Sequence, residues 1–174
     1  MPDADRATFW PRAPDWTRAR IEGRGVTVTA AHGDRGVYLL SGQQDALRSL
    51  AATHMSGVCA CLLPIAPDRA LMVTAPEVTL DEGWQGGVAV SQLSDAHVRI
   101  DVRGTAAEAL LHRASPSLAL AGDGPLASAA VAFAGVPVLV EKRPDGAKLH
   151  VELPLAPHVW HWLLAAISET EVHP

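Results

Sequence analysis

His97-Val98-Arg99-Ile100-Asp101-Val102-Arg103, followed by Gly104-Thr105-Ala106-Ala107-Glu108, is the stretch on which the fold of this chain turns. Val98, Ile100 and Val102 alternate with His97, Arg99, Asp101 and Arg103, the period-two pattern of a strand with one buried face. Gly104 breaks the strand. Thr105 and Glu108 have the T-x-x-E spacing of a capping box, Leu110 and Leu111 carry the apolar face of a helix behind it, and Pro116 stops that helix. A second junction of the same kind lies upstream. There Ser41-Gly42-Gln43-Gln44 has S-x-x-Q spacing, and Leu47, Leu50 and Ala51 share one helical face.

Around these two junctions one order of elements is spelled twice. Val26-Thr27-Val28-Thr29 and Val37 to Leu40 read as strands joined by a hairpin turn at His32-Gly33-Asp34-Arg35-Gly36. The first helix should end near Ser56-Gly57. Val58 to Leu63 and Ala70 to Val73 then read as strands, with Pro64 and Pro67-Asp68 in the turn. In the second half Gly87 to Val90 and residues 97–103 precede the helix. Ala127 to Phe133, Val136 to Glu141 and Leu149 to Leu153 follow as a meander, with turns at Ala134-Gly135 and Pro144-Asp145-Gly146. A closing helix starts at Leu155-Ala156-Pro157, where proline suits the first turn. Leu155, Val159 and Leu163 form one row on it, beside Trp160, Leu164 and Ile167.

The expected fold is α+β: an internal duplication of a strand-strand-helix-strand-strand unit with mostly antiparallel sheets. It forms a single domain over 26–174, made of halves at about 26–78 and 84–170. Residues 1–25 read as an N-terminal arm with no trusted periodicity, holding Trp10, Pro11, Pro14 and Trp16 among five arginines.

Composition narrows the function. At 174 residues the chain can bury a sizeable core without disulfides or metal. Fourteen Lys+Arg against nineteen Asp+Glu give −5, which disfavours nucleic acid or an anionic membrane as partner. Hydrophobic residues at 48% against 19% charged exclude a disordered chain. The polar start Met-Pro-Asp-Ala-Asp-Arg lacks a signal-peptide core, and no apolar run is long enough to span a bilayer, so a cytoplasmic location is expected.

Candidate chemistry is sparse. Cys59 and Cys61 share a strand face by spacing and would offer two thiolates to a soft metal, with His54 near in sequence. A closed site needs two further ligands, so packing as small hydrophobes is the preferred reading. His158 and His161 stand at i, i+3 on the last helix, a spacing that could meet one metal, but they flank an apolar stripe and read as solvated. There is no G-x-S-x-G and no G-x-G-x-x-G before a helix. Asp81 and Glu82 are adjacent and splayed rather than paired. No catalytic, cofactor-binding or metal residue is assigned, and no activity is expected of the chain alone.

The run Leu93-Ser94-Asp95-Ala96-His97-Val98-Arg99-Ile100-Asp101-Val102-Arg103-Gly104 resembles the "D-L-S-x-A-R-x-x-L-x-L-x-G" segment of the gamma subunit of heterotetrameric sarcosine oxidase. Ala107-Glu108-Ala109-Leu110-Leu111 is similar to that family's "A-x-x-V-L" helix, and Ala134-Gly135-Val136-Pro137-Val138-Leu139-Val140 to its "A-G-V-x-V-L-L" strand. Leu149 to Leu153, then Val159-Trp160-His161-Trp162-Leu163, resembles its ending "F-x-L-x-V-P-R-S-x-A-x-x-L-W-x-W-L". The likeness covers roughly residues 88–165. Departures include Ser115-Pro116-Ser117-Leu118-Ala119-Leu120 for "C-P-L-D-L", Ala130-Val131-Ala132 for "T-x-L", and Pro154-Leu155-Ala156 for "P-R-S".

The resemblance implies a fold related to the folate-binding domain of glycine-cleavage aminomethyltransferase, itself an α+β duplication. It also implies partners: an alpha subunit binding NAD and tetrahydrofolate, a beta subunit binding FAD, a covalent FMN at their interface, and a small zinc-carrying delta subunit. The gamma chain holds the large subunits together in a complex that demethylates sarcosine to glycine. No residue here matches the acidic catalytic position of the aminomethyltransferases, so that chemistry is not carried over. A stand-alone folate or one-carbon binder is the alternative. Trp10, Trp16 and Trp84 are the candidate interface residues, since exposed aromatics are costly without a partner.

Overall fold

The computed structural model describes residues 13–23, 25–55, 61–120 and 128–169. In chain order the elements are β1 (Arg20–Gly23), β2 (Val26–Ala31), β3 (Gly36–Gly42), α1 (Gln44–Met55), β4 (Cys61–Ala66), β5 (Arg69–Thr74), β6 (Gly83–Gln85), β7 (Val88–Gln92), β8 (His97–Arg103), α2 (Ala107–Ala114), β9 (Ser128–Phe133), β10 (Val136–Arg143), β11 (Gly146–Glu152) and α3 (Ala156–Glu169). Short 3-10 turns at Ser94–Ala96 and Pro116–Leu120 join β7 to β8 and follow α2.

The strands form two sheets, ordered β1-β2-β8-β11-β10-β9 and β4-β5-β3-β7-β6, in which neighbours are antiparallel throughout. The first sheet lays Val28, Ile100, Val102, Val140, Leu149 and Val151 against α2 and α3. The second lays Tyr38, Leu40, Met72, Val88 and Val90 against Leu47 of α1. A smaller cluster of Val37, Leu63, Leu71 and Val73 meets Leu139 between the sheets. The chain is therefore layered helices, sheet, sheet, helix, with three apolar seams.

The halves interlock rather than lie side by side. β2 pairs with β8 in one sheet and β3 with β7 in the other, so each sheet draws strands from both halves of the chain. For that reason β2 and β3 do not form the expected hairpin. The turn at His32–Gly36 carries the chain across from sheet to sheet, and Leu93 N–H donates to Val37 C=O at 2.7 Å where β7 makes the reciprocal crossing.

Each strand–glycine–helix junction is built in the same way. Gly104 N–H donates to Asp145 C=O and Gly42 N–H to Asp68 C=O, both at 2.9 Å. Each aspartate follows proline in the turn of a hairpin, Pro144-Asp145 and Pro67-Asp68. A Cβ on Gly104 would lie 2.0 Å from Gly25 O, and one on Gly42 would lie 2.6 Å from Gly87 O. Gly25 and Gly87 stand in the turns of the β1–β2 and β6–β7 hairpins.

Several expectations need correction. Residues 20–23 belong to the first sheet, so a boundary at 25/26 falls inside a hairpin. Gly83, Trp84 and Gln85 form a strand rather than a loop, because Gly86 and Gly87, both at positive φ, close a tight turn onto β7. Pro64 lies within β4, not in a turn. β4 is an edge strand with a register shift after Pro64, where a missing N–H breaks no ladder. The T-x-x-E box does not cap α2: its N-cap is Ala106, whose N–H donates to Gly25 C=O at 3.2 Å, because the close approach at Gly104 brings that carbonyl to the helix start. Ser41 likewise lies in β3, opposite Arg69 and Ala89, and not at a cap.

Candidate functional site

Trp16 does not offer itself to a partner. Its indole packs edge-to-face on Trp160 of α3, with ring centroids 5.9 Å apart, and is buried with the α3 core. Trp10 lies outside the described residues. Trp84 is different: 74% of its surface is exposed, the most of any large apolar residue among those described.

The registers say what surrounds Trp84. Trp84 is opposite Ala89, Ala89 opposite Ser41, and Ser41 opposite Arg69, so the four form one row across β6, β7, β3 and β5. Directly paired residues share a face of the sheet, and this is the face that, further along the same strands, carries Val37, Leu71 and Val73 onto the first sheet. At the Trp84 end the face is not covered: Ala89 and Ser41 are half-buried, while Trp84 and Arg69 are exposed. Ala89 and Ser41 leave the row flat, and the tryptophan and arginine at its ends are types enriched at interfaces. Beside it a groove of about 580 Å³ runs along Gly42, Gln43, Ala46, Asp68, Gly86 and Gly87.

The opposing face of the first sheet holds charges that the sequence pattern assigned to solvent. Arg99, on β8, donates from Nη2 to Asp34 at 2.9 Å and from Nε to Asp101 at 3.1 Å, tying the crossover turn to the sheet. Glu141, on β10, is fully buried, with His150 Nε2 3.3 Å from one carboxylate oxygen and Arg143 on the other. Burial alone would raise the Glu141 carboxyl. The His150 hydrogen bond and the nearby Lys148 and Arg143 charges outweigh it and hold the group below the ordinary carboxylate value. Burial pushes the His97 imidazole below its ordinary value, so His97 is held neutral. Alternation along β11, with Ala147, Leu149 and Val151 against Lys148, His150 and Glu152, is the available local signal for this layer, but nothing local announces a second sheet.

The remaining candidates separate. Cys61 is half-buried at the start of β4, and burial beside Glu141 pushes its thiol up to about 11; Cys59 lies outside the described residues. With so little thiolate at neutral pH, a Cys59→Ser variant should label with a thiol reagent at least tenfold more slowly native than in denaturant. Equal rates in the two states would contradict the placement. His158 Nε2 meets Ala134 O at 2.8 Å, and His161 Nδ1 meets Pro157 O at 2.6 Å, so the two rings go to different backbone carbonyls. Among the described residues no three His, Cys, Asp or Glu side chains converge as a metal site. No described helix is long and apolar enough to cross a membrane.

The chain is similar to one in the heterotetrameric sarcosine oxidase from Corynebacterium sp. U-96, solved in complex with pyrrole 2-carboxylate: the TM-score is 0.71 at 19% identity, over 88% of this chain and 89% of that one. At that identity the likeness is one of fold. No family model matches the sequence, and no curated protein matches it.

Proposed function

We propose that this chain is a non-catalytic gamma-type subunit that assembles or stabilises a multi-subunit, flavin-dependent sarcosine or N-methyl amine oxidase. The observation that carries the reading is the near full-length fold likeness to a chain of a heterotetrameric sarcosine oxidase, 88% of one chain on 89% of the other. The sequence motifs at Leu93–Gly104 and Ala134–Val140 point to the gamma chain independently. On this reading FAD, FMN, NAD, tetrahydrofolate and zinc belong to the alpha, beta and delta partners, in the cytoplasm, and the platform around Trp84 is a docking surface. The matched junctions at Gly42 and Gly104, with their Pro-Asp turns, support an origin of the two halves by duplication.

Gentle purification of the tagged chain from its native host, with mass and visible spectrum recorded together, tests the assembly. A large species with flavin absorbance is expected; a colourless species of the chain's own mass overturns the reading. Trp84→Glu should weaken co-purification of flavoprotein chains about thirtyfold, as loss of a hot-spot tryptophan does. The melting temperature of the free chain should move by about 2 °C or less, since the side chain supports nothing internally. Retained partners would show that docking uses another face.

A further inference from the structure

We propose that the outer edge of β9 pairs antiparallel with the same edge of a second copy of this chain, across a two-fold axis at Ala130. Each sheet ends in two edge strands, and three of the four are protected against such pairing. β1 is four residues long and carries Arg20 and Glu22, β4 has Pro64 and a register shift, and β6 is three residues long. β9 has none of these devices. Its six residues, Ser128–Phe133, pair with β10 in unbroken register, and no Asp, Glu, Lys or Arg occurs from Ser128 to Val140.

The hairpin turn fixes which groups face outward. Ala134 and Gly135 both have positive φ, 49° and 85°, as a two-residue type I′ turn requires, so Phe133 and Val136 close the ladder as a hydrogen-bonded pair. Val131–Val138 and Ala129–Val140 are then bonded pairs too, and Pro137 falls opposite Ala132, where no N–H is needed. Ser128, Ala130 and Ala132 therefore direct their N–H and C=O away from β10. Ala134 is pinned on both sides: its N–H donates to Ala114 C=O at 3.0 Å, and its own C=O lies 2.8 Å from His158 Nε2. β4 approaches β9 from the second sheet but pairs only with β5, so among the described residues no strand bonds to the outward groups. Ala130 and Ala132 are exposed.

The edge complements itself, which is what an isologous contact requires. Centred on Ala130, the pairing sets Ala130 against Ala130, Ser128 against Ala132 and Ala129 against Val131 of the second copy, so every outward group gains a partner. These side chains are small or β-branched, and no like charges meet. Moving the axis to Val131 would set Ser128 opposite Ala134, whose N–H is already used, and would lose bonds.

Sedimentation equilibrium of the full chain, without other subunits, tests the contact. Because a six-residue edge is short, the dimer is expected to form between about 10 and 500 µM. Ala130→Pro replaces an outward N–H and leaves the β9–β10 ladder intact, and Ala132→Lys charges the edge; each should weaken association about tenfold or more. In a Cys59→Ser, Cys61→Ser background, Ala130→Cys should give a disulfide-linked dimer on mild oxidation, since the facing Cα atoms lie about 5.5 Å apart. Ala132→Cys should not, because its twin stands four residues further along the facing strand, about 13 Å away. A monomer throughout the range, wild-type association in both edge variants, or equal cross-linking of Ala130→Cys and Ala132→Cys would each overturn the proposal. None of these outcomes depends on the chain's assembly with other subunits, so this contact and the subunit reading fail separately.

Discussion

Gly104→Ala is expected to leave little folded protein. Gly104 sits at φ +126, a conformation that L side chains rarely adopt, and an added Cβ would lie 2.0 Å from the carbonyl oxygen of Gly25 and 2.8 Å from its carbon. The obstructing atoms are backbone, in the turn of a two-stranded hairpin, so no rotamer change relieves the clash. Relief requires the β1–β2 turn to move off the β8–α2 junction. That movement would break the Ala106 N–H to Gly25 C=O bond at 3.2 Å and strain the Gly104 N–H to Asp145 C=O bond at 2.9 Å. We expect a loss of about 4 kcal/mol or more, against a typical total stability of about 5–15 kcal/mol. Gly42→Ala should be milder, about 2 kcal/mol, because its φ is not positive and the nearest obstruction, Gly87 O, is 2.6 Å away. Urea unfolding of both variants checks the order; a Gly104→Ala loss below about 1 kcal/mol would mean that the junction is looser than drawn.

The second large effect is at Glu141. Glu141→Ala removes one member of a buried ionic cluster and strands His150 and Arg143, so a loss of about 3–5 kcal/mol is expected. Replacing Glu141 and His150 together by leucine should recover the part due to His150, because a buried pair exchanged for hydrocarbon of similar volume is often near neutral, while Arg143 still loses its carboxylate. The pH dependence has two stages with the same sign. His97 has a depressed folded value, so the unfolded chain takes up its proton first, and stability starts to fall as pH drops through 6.5. Glu141 is also depressed, so its contribution is complete above about 4.5 and is lost as pH falls through its lower folded value. Urea midpoints from pH 8 to 3 should therefore show a shallow decline and then a steep one. Glu141→Gln should flatten the steep part and leave the shallow one; an unchanged acid limb would place the titrating group elsewhere.

Much of the architecture is local, and local elements are legible in a linear string. The alternation of 97–103, the helices after Gly42 and Gly104, the three-strand run ending at Glu152 and the proline-started α3 all follow from periodicity and punctuation within about ten residues. Where reading failed, a partner distant in sequence decided the outcome. β6 is only three residues long and exists because β7 is there to pair with it. Pro64 is tolerated because β4 has a neighbour on one side only. Thr105 misses the cap because Gly25, about eighty residues away, supplies the acceptor.

The candidate sites divide along the same line. Trp84 was legible as an exposed aromatic because a tryptophan among Gly83, Gly86 and Gly87 has few places to hide, and the fold leaves it exposed. Trp16 carried the same local signal, but α3 closes the chain with Trp160 at the right place and takes the ring inside. The polar face of β8, β10 and β11 reads as solvent-facing on each strand alone. Only the stacking of a second sheet turns Asp101, Glu141 and His150 into a buried charge layer. By itself, then, the sequence determined the three described helices and every described strand except β1 and β6, and which of their faces are apolar, since those depend on neighbours a few residues apart. The tertiary structure alone decided which faces meet, which charges lose their water and which aromatic stays outside, because those depend on pairings such as β2 with β8 that no local pattern encodes.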